Sequence, residues 1–295
     1  MDEETADTAY DAEEDAPEKP ALGPLKTTLR ILGILAIVGG LVVVGFMAYE
    51  HWWTAREAKA AQTDLSSEFA ARRQAFAEGR TYETDRVVED VELTEADTGD
   101  NPTFDVADLP TTTIPPITFA PDVTYGTLPT GEPAPPPILV PEEAPKKGMA
   151  VARIIIPKIE VDWTVIEGTD LVYLREGPGH FTGTPLPGQL GNAVISGHRT
   201  TYGAPFHNLD QLEPGDQISV ETLIGTHTYE VIDTLVVSPY DGWVLSNTGG
   251  AILTLTTCHP KYSSRQRLIV RSELVAGPNR AVAHSLFPYV DLPSG

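Results

Sequence analysis

Basic side chains and cysteine are what this chain has least of. Only 20 Lys and Arg stand against 42 Asp and Glu in 295 residues, a formal charge of −22. That balance excludes a nucleic-acid surface, because phosphate recognition needs clustered cations. One cysteine excludes any internal disulfide. In an exported protein a lone thiol is a liability unless it is buried or used, which draws attention to Cys258. The acid is uneven. Residues 1–150 carry 28 Asp and Glu against 11 Lys and Arg, which is −17 of the −22. Residues 1–20 hold scarcely any large apolar side chain and read as a disordered tail. Charge of either sign is missing from Ile31 to Tyr49.

Nineteen uncharged residues suffice to cross a hydrocarbon core of ~30 Å at ~1.5 Å rise per residue. Lys26 and Arg30 flank this run on one side, and His51, Trp52 and Trp53 on the other, where indole rings suit a membrane interface. A cleaved signal peptide is the competing reading; the long acidic lead-in and the length of the apolar run argue against it. Residues 54–80 are rich in Ala, Glu, Gln and Arg, with Leu65, Phe69 and Phe76 at spacings of four and seven. They read as a helix with a narrow apolar stripe, either a solvated stalk or a weak oligomerisation seam. Residues 81–147 turn acidic and then proline-crowded, as an extended spacer does.

Beyond Met149 short β-rich runs alternate with Gly and Pro turns. Candidate strands lie at 153–156, 163–166, 192–197, 217–223, 227–237, 251–257 and 267–275, with a short helix near Asp170 to Glu176. Many short strands and little helix predict a mainly β protein built on a small closed barrel.

Chemistry concentrates at strand ends. Ala251-Ile252-Leu253-Thr254-Leu255-Thr256-Thr257 reads as a buried strand delivering Cys258, and Ala193-Val194-Ile195-Ser196-Gly197 as another delivering His198. A thiol attacks as the thiolate or with a base beside it, and imidazole is the usual base near neutral pH. Each has a bland alternative, a buried inert cysteine and a loop histidine. An oxyanion needs donors, and Arg265, Arg267 or Arg271 would supply them; periodicity does not choose among the three. Zinc held by Cys258, His198, His207 and His259 fits no closed-site spacing.

Thr254-Leu255-Thr256-Thr257-Cys258 resembles the TLxTC signature of sortases, the membrane-anchored cysteine transpeptidases of Gram-positive bacteria. Ala193 to Arg199 is similar to the segment carrying their histidine, and Arg267 sits where several classes place their arginine. The wording from His198 to Phe206, with Cys258-His259-Pro260, is most like the class E sortases of actinobacteria. The resemblance covers about residues 149–276. It implies an eight-stranded β-barrel, no cofactor, and catalysis by Cys258, His198 and Arg267. Thr257 and Tyr202 are implied substrate contacts. The implied reaction cleaves an LPxTG- or LAxTG-like sorting signal between Thr and Gly and passes the protein to a peptidoglycan-precursor amine. The implied partners are secreted proteins bearing C-terminal sorting signals. Thiol hydrolysis of the same signal and an inert adhesion domain remain alternatives.

The expected division is an acidic cytoplasmic tail at 1–28, a transmembrane helix at 29–50 and a helical stalk at 51–80. An acidic, Pro-rich spacer at 81–147, a catalytic domain at 148–280 and a tail at 281–295 follow. The catalytic domain is expected outside the cell.

Overall fold

The computed structural model describes residues 24–82 and 137–287. The expected acidic tail and most of the Pro-rich spacer lie outside the described residues. The chain divides into two compact units, one through Tyr49 and one from Glu50.

In the first unit, helix α1 (Pro24–Ala77) begins with the apolar run. It contains an 18-residue window of mean hydropathy 2.7, none of it buried, so it is long and apolar enough to cross a membrane.

In the second unit, eight strands form a closed barrel in the order β1-β2-β3-β4-β7-β8-β6-β5. They are β1 (Ala150–Ile156), β2 (Val161–Glu167), β3 (Gly179–His180), β4 (Gly191–Ser196), β5 (Gln217–Thr222), β6 (Gly225–Val237), β7 (Ala251–His259) and β8 (Gln266–Ala276). Closure leaves no long edge exposed. Side chains alternate between the two faces of each strand, so one set fills the interior. Ile154, Ile156, Ala193, Ile195, Ile218, Val220, Leu253, Leu255, Leu268 and Val270 belong to that core. β-branched residues dominate it because they fit a pleated surface.

β2 pairs with β3 and β4 with β7 in parallel; the other neighbours are antiparallel. Helix α2 (Leu171–Leu174) falls within the crossover between β2 and β3. β3 has only two residues, too short for a period to register in sequence.

The remaining half of α1 is no free stalk. Ala58, Leu65, Phe69, Arg72 and Ala75 are buried, at spacings of three, four and seven, and Leu65 and Phe69 cluster with Ala150 and Ile166. Glu68 accepts the Ala150 N–H at 3.2 Å, and Arg72 donates to the Ala150 carbonyl. The β1–β2 ladder shifts register between Ala150 and Ala152, so these side chains serve backbone groups beside the irregularity. Phe76, the third residue of the expected stripe, is exposed.

The start of the expected tail is also structured. Helix α3 (Arg280–Leu286) buries Val282 and Ala283 in the core. Asn279, just before it, accepts the Val140 N–H at 2.8 Å and donates to the carbonyls of Val140 at 3.0 Å and Gly188 at 2.9 Å. The end of the spacer is thereby tied to the barrel.

Candidate active site

Strand register brings Cys258 and Arg267 together. They are direct partners across the antiparallel β7–β8 ladder, so their side chains share a face. That face is the outer one, because Leu253 and Leu255 on β7 and Leu268 and Val270 on β8 point into the core. On β4 the inward residues are Ala193 and Ile195, which assigns the outward parity to Val194, Ser196 and, by extension, His198. Ser196 stands opposite Thr256 in the parallel β4–β7 ladder. Two residues further along each chain are His198 and Cys258. The two strands stay in step beyond Ser196: the Gly197 N–H donates to the Thr256 carbonyl at 3.1 Å. The Thr257 hydroxyl donates to the Gly197 carbonyl at 2.7 Å. A Cβ on Gly197 would lie 2.6 Å from the Phe206 ring, so glycine is required for the chain to pass there.

Thr257 therefore sits apart from the other expected contacts. It is buried on the inward parity, and its hydroxyl is spent on the strand that carries His198. Its contribution is to lock β4 against β7. The Tyr202 ring lies beside His198, 4.9 Å from its ring. Arg175 in turn lies 5.8 Å above the Tyr202 ring.

Of the other arginines weighed from sequence, Arg271 is committed elsewhere and Arg265 is exposed. Arg271 is buried, bonded to Asp233 at 2.8 Å through its Nε and stacked on Trp243. Arg265 lies in the loop before β8. Arg267 donates to the carbonyls of Ser264 at 2.8 Å and Gln266 at 3.1 Å. His207 bonds the Arg199 carbonyl at 2.8 Å.

Arg199 is a site residue that sequence reasoning passed over. It is 3% exposed. It donates to the Cys258 carbonyl at 3.1 Å and the His207 carbonyl at 3.3 Å, and its Nη1 lies 3.2 Å from His259 Nδ1. Asp210 balances its charge at 2.9 Å. A buried arginine with this many acceptors braces the backbone at Cys258. Its only sequence signal was adjacency to His198.

Two hydrophobic contacts wall the outer face. Val194 and Ile269 cluster with Val244 and Leu245 of the 3-10 turn Gly242–Leu245. Asn192 pins that turn by donating to the carbonyls of Val244 at 2.9 Å and Ser246 at 3.1 Å.

Burial, and then the positive charge of Arg175, pushes the His198 pKa down to about 4. Its Nε2 is buried and has no hydrogen-bond partner among the described residues. The imidazole is neutral at pH 7 and disposed to accept a proton only when substrate or thiol supplies one. Once protonated it gives the proton up more readily than an ordinary imidazolium. A neutral base, a thiol and a guanidinium on one outer face are the parts of an acyl-transfer centre. A separate cleft of about 440 Å³ lies between α1 and strands β1, β2 and β5, lined by Lys59, Phe69, Arg73, Arg153 and Glu221; none of the three chemical residues lines it.

Residues 154–275 match the family model described as the sortase domain. Sortase D of Bacillus subtilis is 36% identical over 117 residues, covering 39% of this chain and 58% of that protein. Sortase SrtE1 of Streptomyces coelicolor is 36% identical over 144 residues, covering 43% of this chain and 41% of that protein. A crystal structure of Sortase E1 from Streptomyces coelicolor with a tripeptide in the active site aligns at 34% identity and a TM-score of 0.42, over 44% of this chain and 90% of that one. The chain spans about half the length of the curated relatives it matches.

Proposed function

Because the chain belongs to the sortase family through residues 154–275, we propose that it cleaves an LAxTG- or LPxTG-type sorting signal between Thr and Gly. The released protein is then transferred to a cell-wall peptide amine. Cys258 Sγ attacks the threonine carbonyl carbon while His198 takes the thiol proton. The tetrahedral intermediate collapses by breaking the C–N bond, and His198 gives its proton to the departing glycine amine. That leaves a thioacyl bond to Cys258. The acceptor amine attacks the thioester and passes a proton to His198. The C–S bond then breaks, and the thiolate recovers the proton.

The low pKa of His198 makes proton removal from the thiol uphill and protonation of the leaving amine downhill. Arg267, opposite Cys258 in the ladder, supplies planar donors for the oxyanion and the substrate backbone. The apolar run in α1 anchors the chain in a membrane as a single span, with the barrel on the outer side, where sorting signals and cell-wall amines are found. The observation that carries the reading is the cross-strand pairing of the only cysteine with Arg267, at the level where β4 ends in His198.

The test is product analysis. Full-length protein in detergent is incubated with LAxTG and LPxTG peptides and a glycine- or diaminopimelate-type amine. Transfer product that disappears in Cys258→Ala supports the reading. Hydrolysis product alone would favour a thiol peptidase, and no Cys258-dependent product from either peptide would refute both.

A further inference from the structure

The docked half of α1 reaches both the loop that carries Tyr202, beside His198, and the segment that carries Arg175, over Tyr202. On one side, Gln62 meets β2 and the segment after α2. Its Oε1 accepts the Thr164 N–H at 2.7 Å, and its Nε2 donates to the carbonyls of Thr164 at 2.9 Å and Glu176 at 3.0 Å. β3 is too short to pair with β2 at Thr164, so this side-chain amide fills the place of a strand. The fit is tight: a Cβ on Gly177 would lie 2.3 Å from Gln62 Nε2. Glu176 follows Arg175, whose guanidinium covers Tyr202.

On the other side, Ala58 is fully buried near Gly203. Gly203 has φ +75°, and a Cβ there would meet the Trp163 ring at 2.5 Å and the Ala58 Cβ at 3.6 Å. Gly203 follows Tyr202, the ring beside His198. One turn of helix, Ala58 to Gln62, thus touches the immediate sequence neighbours of Tyr202, whose ring lies against the imidazole, and of Arg175, which lies over Tyr202.

We infer that this turn of α1 belongs to the support of the active site and that Gln62 is a positioning residue for His198, acting through Arg175 and Tyr202. The inference rests on the sortase reading of the site. Its logic is mechanical. A side-chain amide with three backbone bonds holds the Arg175 segment in place, and a small residue at position 58 lets the helix seat against the Tyr202 turn. The charged and titratable groups around His198 are Tyr202 against its ring, Arg175 beyond the Tyr202 ring, Arg199 next in sequence, Cys258 on the neighbouring strand β7 and Arg267 beyond it on β8. Only the first two are tied to the helix.

The test compares wild type, Gln62→Ala, Gln62→Glu and Arg73→Ala as full chains in detergent. Arg73 lies on the same helix and pairs with Glu221 on β5 at 3.1 Å, so its removal loosens docking away from the Tyr202 and Arg175 segments. Two readouts are taken: kcat and KM for peptide transfer, and the titration of the His198 ring by NMR in a Cys258→Ala background, assigned by its loss in His198→Gln. Gln62→Ala is expected to lower kcat by about 10-fold with little change in KM, and to move the His198 titration up toward its ordinary value. Gln62→Glu keeps the acceptor for the Thr164 N–H but loses donation to the Thr164 and Glu176 carbonyls, and is expected to shift the titration in the same direction. It is the variant that decides if Gln62→Ala does not fold. Arg73→Ala is expected to change neither. The inference is overturned if the Gln62 variants match Arg73→Ala in both readouts. Inactive wild type would instead count against the proposed reaction, leaving the titration to judge the strut.

Discussion

At the scale of single residues, the site works by unequal environments on one face. Cys258 and Arg267 are cross-strand partners, while His198 is held in a largely dry position under Tyr202. Burial of His198 has a consequence for stability. Its folded pKa is about 4, below the ordinary value of 6.5. Between those values the unfolded chain binds a proton that the folded chain does not. Stability from this group is therefore complete above about pH 6.5 and declines as pH falls toward 4, by at most ~3 kcal/mol. Buried His227 shifts in the same direction, also to about 4. His198→Gln should flatten, without abolishing, the fall in Tm between pH 6.5 and 4; an unchanged slope would mean that His198 is solvated. For Arg267, replacement by lysine keeps the charge and loses the planar fork. A drop in kcat/KM on the order of 100-fold is expected, the usual cost of losing an oxyanion donor. Steady-state kinetics showing full activity would remove Arg267 from that role.

At the scale of elements, legibility followed the strength of the local pattern. β4, β7 and β8 were readable because β-branched runs end at chemical residues, and the turn signals bounded them well. Which arginine stands opposite the cysteine was not readable from periodicity. Arg267 and Arg271 share a face, and only the ladder shows that one opposes Cys258 and the other Thr254. β3 escaped because two residues make no period. The docking of α1 escaped for a different reason. Much of its docked stripe is small or polar: Ala58 and Ala75 are buried methyls, while half-buried Gln62 and buried Glu68 and Arg72 satisfy barrel backbone, so an apolar count found only Leu65 and Phe69 with misplaced Phe76. Leu65 is the apolar centre of that contact. Leu65→Ala should cost about 2–5 kcal/mol of docking free energy, seen as faster amide exchange at Ala150 and Ile166. Unchanged protection of those amides would place the stability of the contact in its polar bonds instead.

At the scale of the whole molecule, the barrel is one part of a larger folded unit that begins at Glu50. A fragment cut at residue 148 would uncover Ala150 and Ile166 and leave Thr164 without its Gln62 partner. It should melt well below a fragment that starts at residue 50, by calorimetry; equal Tm values would show the helix to be dispensable for stability. Acidity is concentrated in residues 1–150, while β-periodicity marked the barrel beyond them. The central claim is that Cys258 carries an acyl group taken from a sorting signal. Intact-mass measurement of the full chain after exposure to LAxTG or LPxTG peptide, quenched in acid without an amine acceptor, tests it most directly. The account predicts a mass increase equal to the peptide up to its threonine, absent in Cys258→Ala and released by hydroxylamine. An unmodified wild-type mass with both peptides, alongside intact peptide in the mixture, would contradict it.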